Sequence, residues 1–241
     1  KKVALTFDDG PNPDHTETLL EGLKERNVKA TFFLLGAECE KYPEIVKKIH
    51  ADGHLIGVHS YEHVNLSNLT DQAAMEQVDK TDQIIFGLTG EHAQYIRPPY
   101  GCWKCNLDYE TKMIEVLWDV DPLDWKTDNS SVIAKRVMDK VQENDIILLH
   151  DASESSVNAA LLIIDELLQS FVDEMSNWYV RRCRERFWAK GMEQDKINAY
   201  MTLYTTLVTL CKAAAPMIPF MTESIYRNLV CSIDKTAPIS I

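Results

Sequence analysis

The sequence predicts an α/β fold built on parallel strands, followed by an all-α helical segment. Short apolar, β-branched runs alternate with longer amphipathic runs through the first 169 residues, as in strands joined by helical crossovers. The alternation then stops, and residues 170–241 show only helical spacing. Glycine follows the same division, because eight of the nine glycines precede Ser170.

The strand-like and helix-like runs of the first part form pairs. In order they are KVALTF with HTETLLEGLKER, KATFFLLG with YPEIVKKIHADG, HLIGV with LTDQAAMEQVDKTDQIIFGL, AQYI with LDYETKMIEV, VLWDV with SSVIAKRVMDKVQEN, and DIILL with AALLIIDELLQ. An open sheet or a barrel satisfies this order. Polar clusters favour a barrel, since each directly follows an apolar run and the carboxyl ends of barrel strands meet at one face. The clusters are DDG, HSYEH, RPPYG, DPLDW and HD.

The second part, residues 170–241, is predicted to form a basic amphipathic helix, then a long helix, a break at Pro216 to Pro219, and a further helix. Its charge also differs from that of the first part. It holds nine basic and seven acidic residues, net +2, whereas the rest of the chain holds 16 basic and 30 acidic residues, net -14. We therefore predict two domains of different origin, 1–169 and 170–241.

Composition excludes several classes of protein. A hydrophobic content of 45% over 241 residues is ample for a buried core, and a net charge of -12 argues against a general nucleic-acid binder. No run approaches the roughly 20 apolar residues of a membrane span, and the start, KKVALTFDDG, is strand-like rather than a signal peptide. Cys102 and Cys105 form one CxxC, which suits either zinc or redox chemistry, or ordinary and disulfide-forming cysteines, the interpretation we favour.

Two histidines and two aspartates suggest a metal site. His59 and His63 are four residues apart, which on a helical turn places both imidazoles on one side. Asp8 or Asp9 can add a carboxylate from another strand end, giving the open Asp-His-His set of a catalytic metal. Solvent-exposed loop histidines are the alternative, but the other polar clusters along the chain favour the metal.

His150 and Arg97 extend this set of candidates. His150 ends an apolar run, so it is a third metal ligand or a general acid, with a core histidine as the alternative. Arg97 is stiffened by Pro98 and Pro99 and is placed to pair with a buried carboxylate. A surface arginine beside a turn is the other interpretation.

The ordered motifs TFDDG, HSYEH, RPPYG, DPLDW and LLH resemble those of the polysaccharide deacetylases, the NodB homology domain of carbohydrate esterase family 4. The resemblance spans residues 1–169 and implies a distorted (β/α)7-type barrel. It also implies a metal-dependent hydrolase that removes N-acetyl groups from N-acetylglucosamine-containing polysaccharide, either peptidoglycan or a chitin-like polymer. An extracellular or cell-envelope location would follow.

The resemblance also implies roles for individual residues. Asp9, His59 and His63 would bind the metal, usually zinc. Asp8 would be the base that takes a proton from metal-bound water, and Arg97 would orient Asp8 and hold it ionised.

Five further roles are implied around the substrate. The backbone N–H of Tyr100 would stabilise the oxyanion together with the metal. His150 would protonate the departing amine, with Asp124 tuning its charge. Trp125 and Leu148 would wall the pocket for the acetyl methyl.

The stretches FVDEMSNWYVRRCRERFW and DKINAYMTLYTTLVTLCKAAAPMIPFMTESIYRNL resemble the anticodon-binding helical domain of class I aminoacyl-tRNA synthetases, most closely the isoleucyl enzyme. The signatures HIGH and KMSKS are absent from the sequence, which implies no aminoacylation. A cytoplasmic location would follow for this part. The alternative function is thus a tRNA-binding fragment of an isoleucyl-tRNA synthetase fused to a passenger deacetylase domain.

The helical part carries two further predictions. A basic run suits phosphate contacts with tRNA, although Glu185 dilutes it and a solvated helix face is the favoured alternative; the run is Arg181, Arg182, Arg184 and Arg186. Six apolar positions are predicted to pack rather than to bind a ligand: Trp178, Phe187, Leu203, Leu207, Phe220 and Ile225. At the junction, where the family usually has a Gly-Tyr turn and a short strand, either Phe171 and Val172 form a strand or the barrel end is uncovered.

Overall fold

A computed structural model describes residues 2–104, 107, 110–215, 219–234 and 236–238, with backbone only at 219 and 220. The chain forms two compact units. The first comprises Lys1–Lys24 and Val28–Ile163, and the second comprises Glu25–Asn27 and Ile164–Ile241. The division between domains at residues 169 and 170 stays a prediction.

The first unit is a curled parallel sheet with helices between its strands. The strands are β1 (Ala4–Asp8), β2 (Thr31–Leu34), β3 (Leu55–Val58), β4 (Tyr95–Ile96), β5 (Ile114–Glu115) and β6 (Ile146–His150). The helices are α1 (Thr16–Glu25), α2 (Gly36–Lys41), α3 (Pro43–Ala51), α4 (Asp71–Thr89), α5 (Ser130–Met138) and α6 (Glu154–Glu174). The strand order is β5-β4-β3-β2-β1-β6, and every pair is parallel.

One extended segment joins the two edges of this sheet. Its start, β5, pairs with β4, and its end at Val120 forms a parallel bridge with Ile147 of β6. The predicted distorted barrel is therefore confirmed as a curled parallel sheet. Its carboxyl ends converge, as the polar clusters require.

The core of the first unit lies against the central strands. Phe7 and Phe32 stack with ring centroids 5.3 Å apart and are 1% and 0% exposed. Helix α1 buries Leu19, Leu20 and Leu23, the positions that share one helical face. Burying each such side chain contributes roughly 1.5–3 kcal/mol, which fixes the strands that carry the polar clusters.

One run with helical spacing contains a strand instead of a helix. The run LDYETKMIEV was predicted helical, but of its described residues only Leu107 lies in a 3₁₀ turn, residues 110–116 form no helix, and Ile114–Glu115 is β5. Pairing with Tyr95 and Ile96 satisfies the backbone hydrogen bonds there, so tertiary context overrides helical spacing.

Of the CxxC pair, Cys105 lies outside the described residues, and Cys102 Sγ donates to the carbonyl of Tyr100 at 3.6 Å.

The junction is helical. Phe171 and Val172 lie within α6, which excludes the first of the two alternatives, a strand at the junction. The apolar spacing of this region continues the helix instead. By length and composition, the helix Glu154–Val180 is long and apolar enough to cross a membrane, but this is weak evidence because buried core helices meet the same criteria.

The second unit is helical, as predicted. A π-helical turn, Met175–Val180, precedes α7 (Arg184–Trp188), α8 (Gln194–Ala214) and α9 (Pro219–Tyr226), and a second π-helical turn covers Arg227–Cys231. Residues 216–218 of the predicted proline break lie outside the described residues.

The predicted packing positions of this unit divide into two groups. Phe187 is 9% exposed and packs with Cys183, Ala199 and Leu203. Leu207 and Ile225 are partly buried, and the side chain of Phe220 is not among those described. Trp178 is not buried: it is 59% exposed, with the Arg182 guanidinium 4.9 Å from its ring centroid, so packing of this residue stays a prediction.

Candidate metal and catalytic site

The two adjacent aspartates at the end of β1 turn toward one site. Asp8 is the last residue of β1, and Asp9 has a φ of 73°. On a continuing strand the two side chains would point to opposite faces, but the left-handed conformation of Asp9 reverses the chain. The turn thus begins at Asp9, one residue before the Gly10-Pro11 break that the sequence suggested.

Asp9 and the two histidines form a compact group of ligand atoms. Asp9 Oδ1 lies 3.4 Å from His59 Nε2 and 3.3 Å from His63 Nε2. The histidines lie in a loop after β3, so the expected helical turn is wrong. Positive φ angles at Ser60 (67°) and His63 (55°) fold the loop and bring the imidazole centroids to 5.2 Å.

These residues fit a divalent cation. His59 Nδ1 donates to the carbonyl of Arg97 at 2.6 Å, so its Nε2 lone pair faces Asp9. Asp9 Oδ1 is buried and has no hydrogen-bond partner among the described residues. Three ligand atoms about 2.1 Å from a tetrahedral ion would lie roughly 3.4 Å apart, close to the separations of Asp9 Oδ1 from the two imidazoles.

The electrostatics of this group are those of a cation site. Burial acts to lower the pKa of His59, but the charges of Asp8 and Asp9 outweigh it and raise that pKa. Burial lowers the pKa of His63, which favours its neutral, ligating form. For Asp9, burial acts to raise the pKa, but His59 and His63 hold it below its usual value. The carboxylates thus create a field that attracts positive charge.

Arg97 is fully buried and pairs with Asp8. Its Nη1 lies 2.7 Å from Asp8 Oδ1 and donates also to Thr6 Oγ1. Its other nitrogens donate to the carbonyls of Val116 and Leu117, in the segment that joins the two sheet edges. The burial of Arg97 therefore excludes the surface-arginine alternative. Its contact with Asp8 Oδ1 holds the Asp8 carboxylate in place.

His150 and Asp124 form a second charged pair in the same cleft. His150 Nδ1 donates to Asp124 Oδ1 at 2.8 Å, and the His150 backbone N–H donates to Asp124 Oδ2 at 2.8 Å. Burial acts to lower the pKa of His150, but the hydrogen bond and charge of Asp124 raise it to about 9. His150 stands outside the Asp9, His59 and His63 group, which favours the acid over the third ligand.

Nine of the ten predicted site residues line a cleft of about 680 Å³. The tenth, Arg97, contacts the lining residue Asp8. Tyr100 has a φ of 62°, and its exposed ring meets that of His63 edge-on at 4.8 Å. Trp125 is exposed on the cleft wall and Leu148 is buried. The sequence did not single out several other lining residues: Trp118, Asp121, Asp128, Ala152, Ser153 and Ser156.

Asp151 is the main residue that the sequence analysis missed. It follows His150 and is 1% exposed, and burial raises its pKa to about 7. Its Oδ2 accepts a hydrogen bond from Thr16 Oγ1. The HD pair after β6 was the available signal, but local sequence does not show that the carboxylate is buried.

Comparisons with known proteins agree with this fold. A family model described as polysaccharide deacetylase matches residues 1–116, and one described as anticodon-binding domain of tRNA ligase matches residues 161–238. The chain is 40% identical over 174 residues to peptidoglycan-N-acetylmuramic acid deacetylase PdaC of Bacillus subtilis, covering 72% of this chain and 36% of PdaC. The solved PdaC structure superposes with a TM-score of 0.68 at 37% identity, covering 78% of this chain and 98% of that one.

Two further relatives are a second deacetylase and a tRNA ligase. Chitooligosaccharide deacetylase of Azorhizobium caulinodans is 33% identical over 153 residues, which cover 62% of this chain and 73% of that enzyme. Isoleucine–tRNA ligase of Clostridium kluyveri is 40% identical over 148 residues, covering 56% of this chain and 14% of that ligase. The chain belongs to the polysaccharide deacetylase family, and its residues 161–238 are similar to the anticodon-binding domain of tRNA ligases.

Proposed function

We propose that the first part of the chain is a zinc-dependent hydrolase that removes N-acetyl groups from N-acetylglucosamine-containing polysaccharide, peptidoglycan or chitin-like. The observation that carries the proposal is the buried Asp9 Oδ1, which has no hydrogen-bond partner among the described residues and faces two imidazoles in the same cleft as Asp8 and the His150–Asp124 pair. The substrate class draws support from relatives named as deacetylases of peptidoglycan and of chitooligosaccharide.

The reaction sets clear requirements. An acetamide is a poor electrophile with a poor leaving group, so its hydrolysis needs activated water, a stabilised oxyanion and a proton for the amine. Asp9, His59 and His63 would hold the cation, whose Lewis acidity lowers the pKa of water and offsets charge on the acyl oxygen.

Asp8 acts as the general base. Its Oδ1 is occupied by Arg97, so Oδ2, 3.8 Å from His59 Nε2, is the oxygen that takes the proton from the attacking water. Arg97 orients this carboxylate. The backbone N–H of Tyr100 donates to the acyl oxygen as negative charge develops there.

His150 acts as the general acid. Because Nδ1 is bonded to Asp124, Nε2 carries the proton that passes to the amine nitrogen. A pKa of about 9 keeps this imidazole protonated at neutral pH. Trp125 and Leu148 form the walls that receive the acetyl methyl group.

The test is acetate release from N-acetylglucosamine oligosaccharides by the full chain with added zinc. We expect wild type to be active and Asp8→Asn to lose roughly 10²–10⁴-fold in rate, the usual contribution of a general base. Asp82→Asn is the matched control, since Asp82 bonds His92 and the Ala93 N–H away from the cleft. Equal rates for wild type and Asp8→Asn would contradict the proposal.

The second candidate function is tRNA binding by the helical part, which the anticodon-domain match favours. Arg181, Arg182 and Arg184 are exposed, whereas Arg186 is engaged by Asp195 through two contacts of 2.7 Å. Salt-dependent tRNA binding that survives loss of His59 and His63 would support this candidate. An absence of binding at low salt would remove it.

A further inference from the structure

Asp151 is a buried carboxylate that the proposed reaction does not use. Its side chain is 1% exposed, Oδ2 accepts from Thr16 Oγ1, and Oδ1 has no hydrogen-bond partner among the described residues. Burying a carboxylate with incomplete hydrogen bonding is costly. Its position next to the loop that carries Asp9 provides a reason for that cost.

Thr16 connects Asp151 to that loop. The Thr16 hydroxyl donates to Asp151 and also accepts from the backbone N–H of Asn12 at 2.7 Å. The backbone N–H of Thr16 donates in turn to the carbonyl of Asn12 at 3.1 Å. One hydroxyl therefore links the end of β6 to the backbone three residues after Asp9.

Gly10 makes the second connection. A Cβ placed on Gly10 would lie 2.7 Å from Asp151 Oδ2 and 2.9 Å from Oδ1, so the carboxylate packs directly on the glycine. On its other side, the Gly10 carbonyl accepts from the N–H of Leu35 at 2.9 Å. The residue next to Asp9 is thus held between the ends of β6 and β2.

From these contacts we infer that Asp151 is a positioning residue for the metal ligand Asp9, acting through Thr16 and Gly10. Asp9 has a φ of 73°, a left-handed conformation that is disfavoured for a residue other than glycine unless surrounding contacts hold it. The restraint at residues 10–12 holds this turn, and with it the position of Asp9 Oδ1 opposite His59 and His63. The inference rests on the metal site of the proposed function.

The test is calorimetric titration of zinc into the metal-stripped full chain. We expect Asp151→Ala and Thr16→Val each to weaken zinc binding roughly 10–100-fold, the usual effect of removing an outer-shell partner. Asp151→Asn, which keeps an acceptor oxygen for Thr16, retains most of the affinity. The double variant binds no more weakly than Asp151→Ala, because both changes break one linkage.

Asp82→Ala is the matched control. Asp82 is a largely buried carboxylate with its own backbone and imidazole partners, so this change lowers the melting temperature and leaves the zinc Kd unchanged.

Two results would overturn the inference. If wild type binds zinc and Asp151→Ala and Thr16→Val bind it equally well, Asp151 has no positioning role, while the proposed function stands; a lower metal-free melting temperature alone would not restore that role. If wild type itself binds no zinc, both the inference and the proposed function fail. Should the two variants not fold by circular dichroism, Gly10→Ala decides, with weaker zinc binding expected and an unchanged Kd contradicting the inference.

Discussion

The two units of this chain differ in how deeply their most buried described ion pairs lie in the protein. In the first unit, Arg97 and Asp8 are 0% and 3% exposed and meet at 2.7 Å in the floor of a cleft. In the second unit, the described ion pairs Arg186–Asp195 and Arg227–Glu223 have exposed arginines, and in another, Arg26–Asp165, the arginine is 17% and the aspartate 39% exposed. Its tryptophans Trp178 and Trp188 are also exposed.

This difference indicates where chemistry can occur. Buried charges are expensive unless they are paired and hydrogen-bonded, and they gain strength from the low dielectric around them. Exposed charges are screened by solvent and salt, which suits reversible association rather than catalysis. The difference in burial therefore favours hydrolysis in the first unit and reversible association in the second.

The largest expected effect is that of Arg97→Met. It leaves Asp8 buried without its cationic partner and the carbonyls of Val116 and Leu117 without donors. We expect a loss of about 3–5 kcal/mol in the free energy of unfolding and no detectable deacetylation. Urea unfolding followed by circular dichroism measures the first quantity, with Lys48→Met, which breaks the partly exposed pair with Asp52, as a control of much smaller effect. A similar loss of unfolding free energy in both variants would contradict the expected difference between buried and exposed ion pairs.

Asp124→Asn should have the next largest effect, on the pH profile. Asp124 raises the pKa of His150 to about 9, whereas burial alone lowers the pKa of an imidazole. Without the carboxylate the pKa falls, so His150 loses its proton at a lower pH and the alkaline limb of the rate moves down. We expect roughly tenfold lower kcat at pH 8, with recovery toward acid pH. An alkaline limb that stays in place in the pH profile of Asp124→Asn would contradict the acid role of His150.

A smaller effect is expected in the second unit. Changing Arg181 and Arg182 together to Gln should weaken tRNA binding and lower the slope of log K against log salt by about two, provided both contact phosphate. Arg186→Gln is the matched control, because Arg186 already pairs with Asp195. Filter binding across a salt series measures the slope. Equal slopes for both variants would mean a solvated helix face rather than a binding surface.

The polar clusters made much of the site predictable from sequence. Asp8, His59 and His150 each follow an apolar run, and parallel strands bring their ends together regardless of loop details. The conformations that complete the site were not predictable. The left-handed turns at Asp9, Ser60 and His63 depend on surrounding contacts rather than on residue type, so a helical turn was expected where a loop occurs.

Long-range hydrogen bonds explain the remaining differences. The carbonyl partners of Arg97 lie about 20 residues away, and the Asp151 partner Thr16 lies 135 positions away. No periodicity encodes such pairs. Ile114–Glu115 is a strand within a run of helical spacing for the same reason. Its pairing with β4 is a long-range contact that the local pattern does not encode.

The proposed zinc binding and acetate release by the first unit can be tested together. The most direct measurement is zinc content and acetate release on the same samples of wild type and Asp9→Ala. We predict equimolar zinc and acetate release for wild type, and loss of both in Asp9→Ala with the circular dichroism spectrum retained. Zinc-loaded wild type that releases no acetate, or zinc-free Asp9→Ala that releases it at the wild-type rate, would contradict the proposed function.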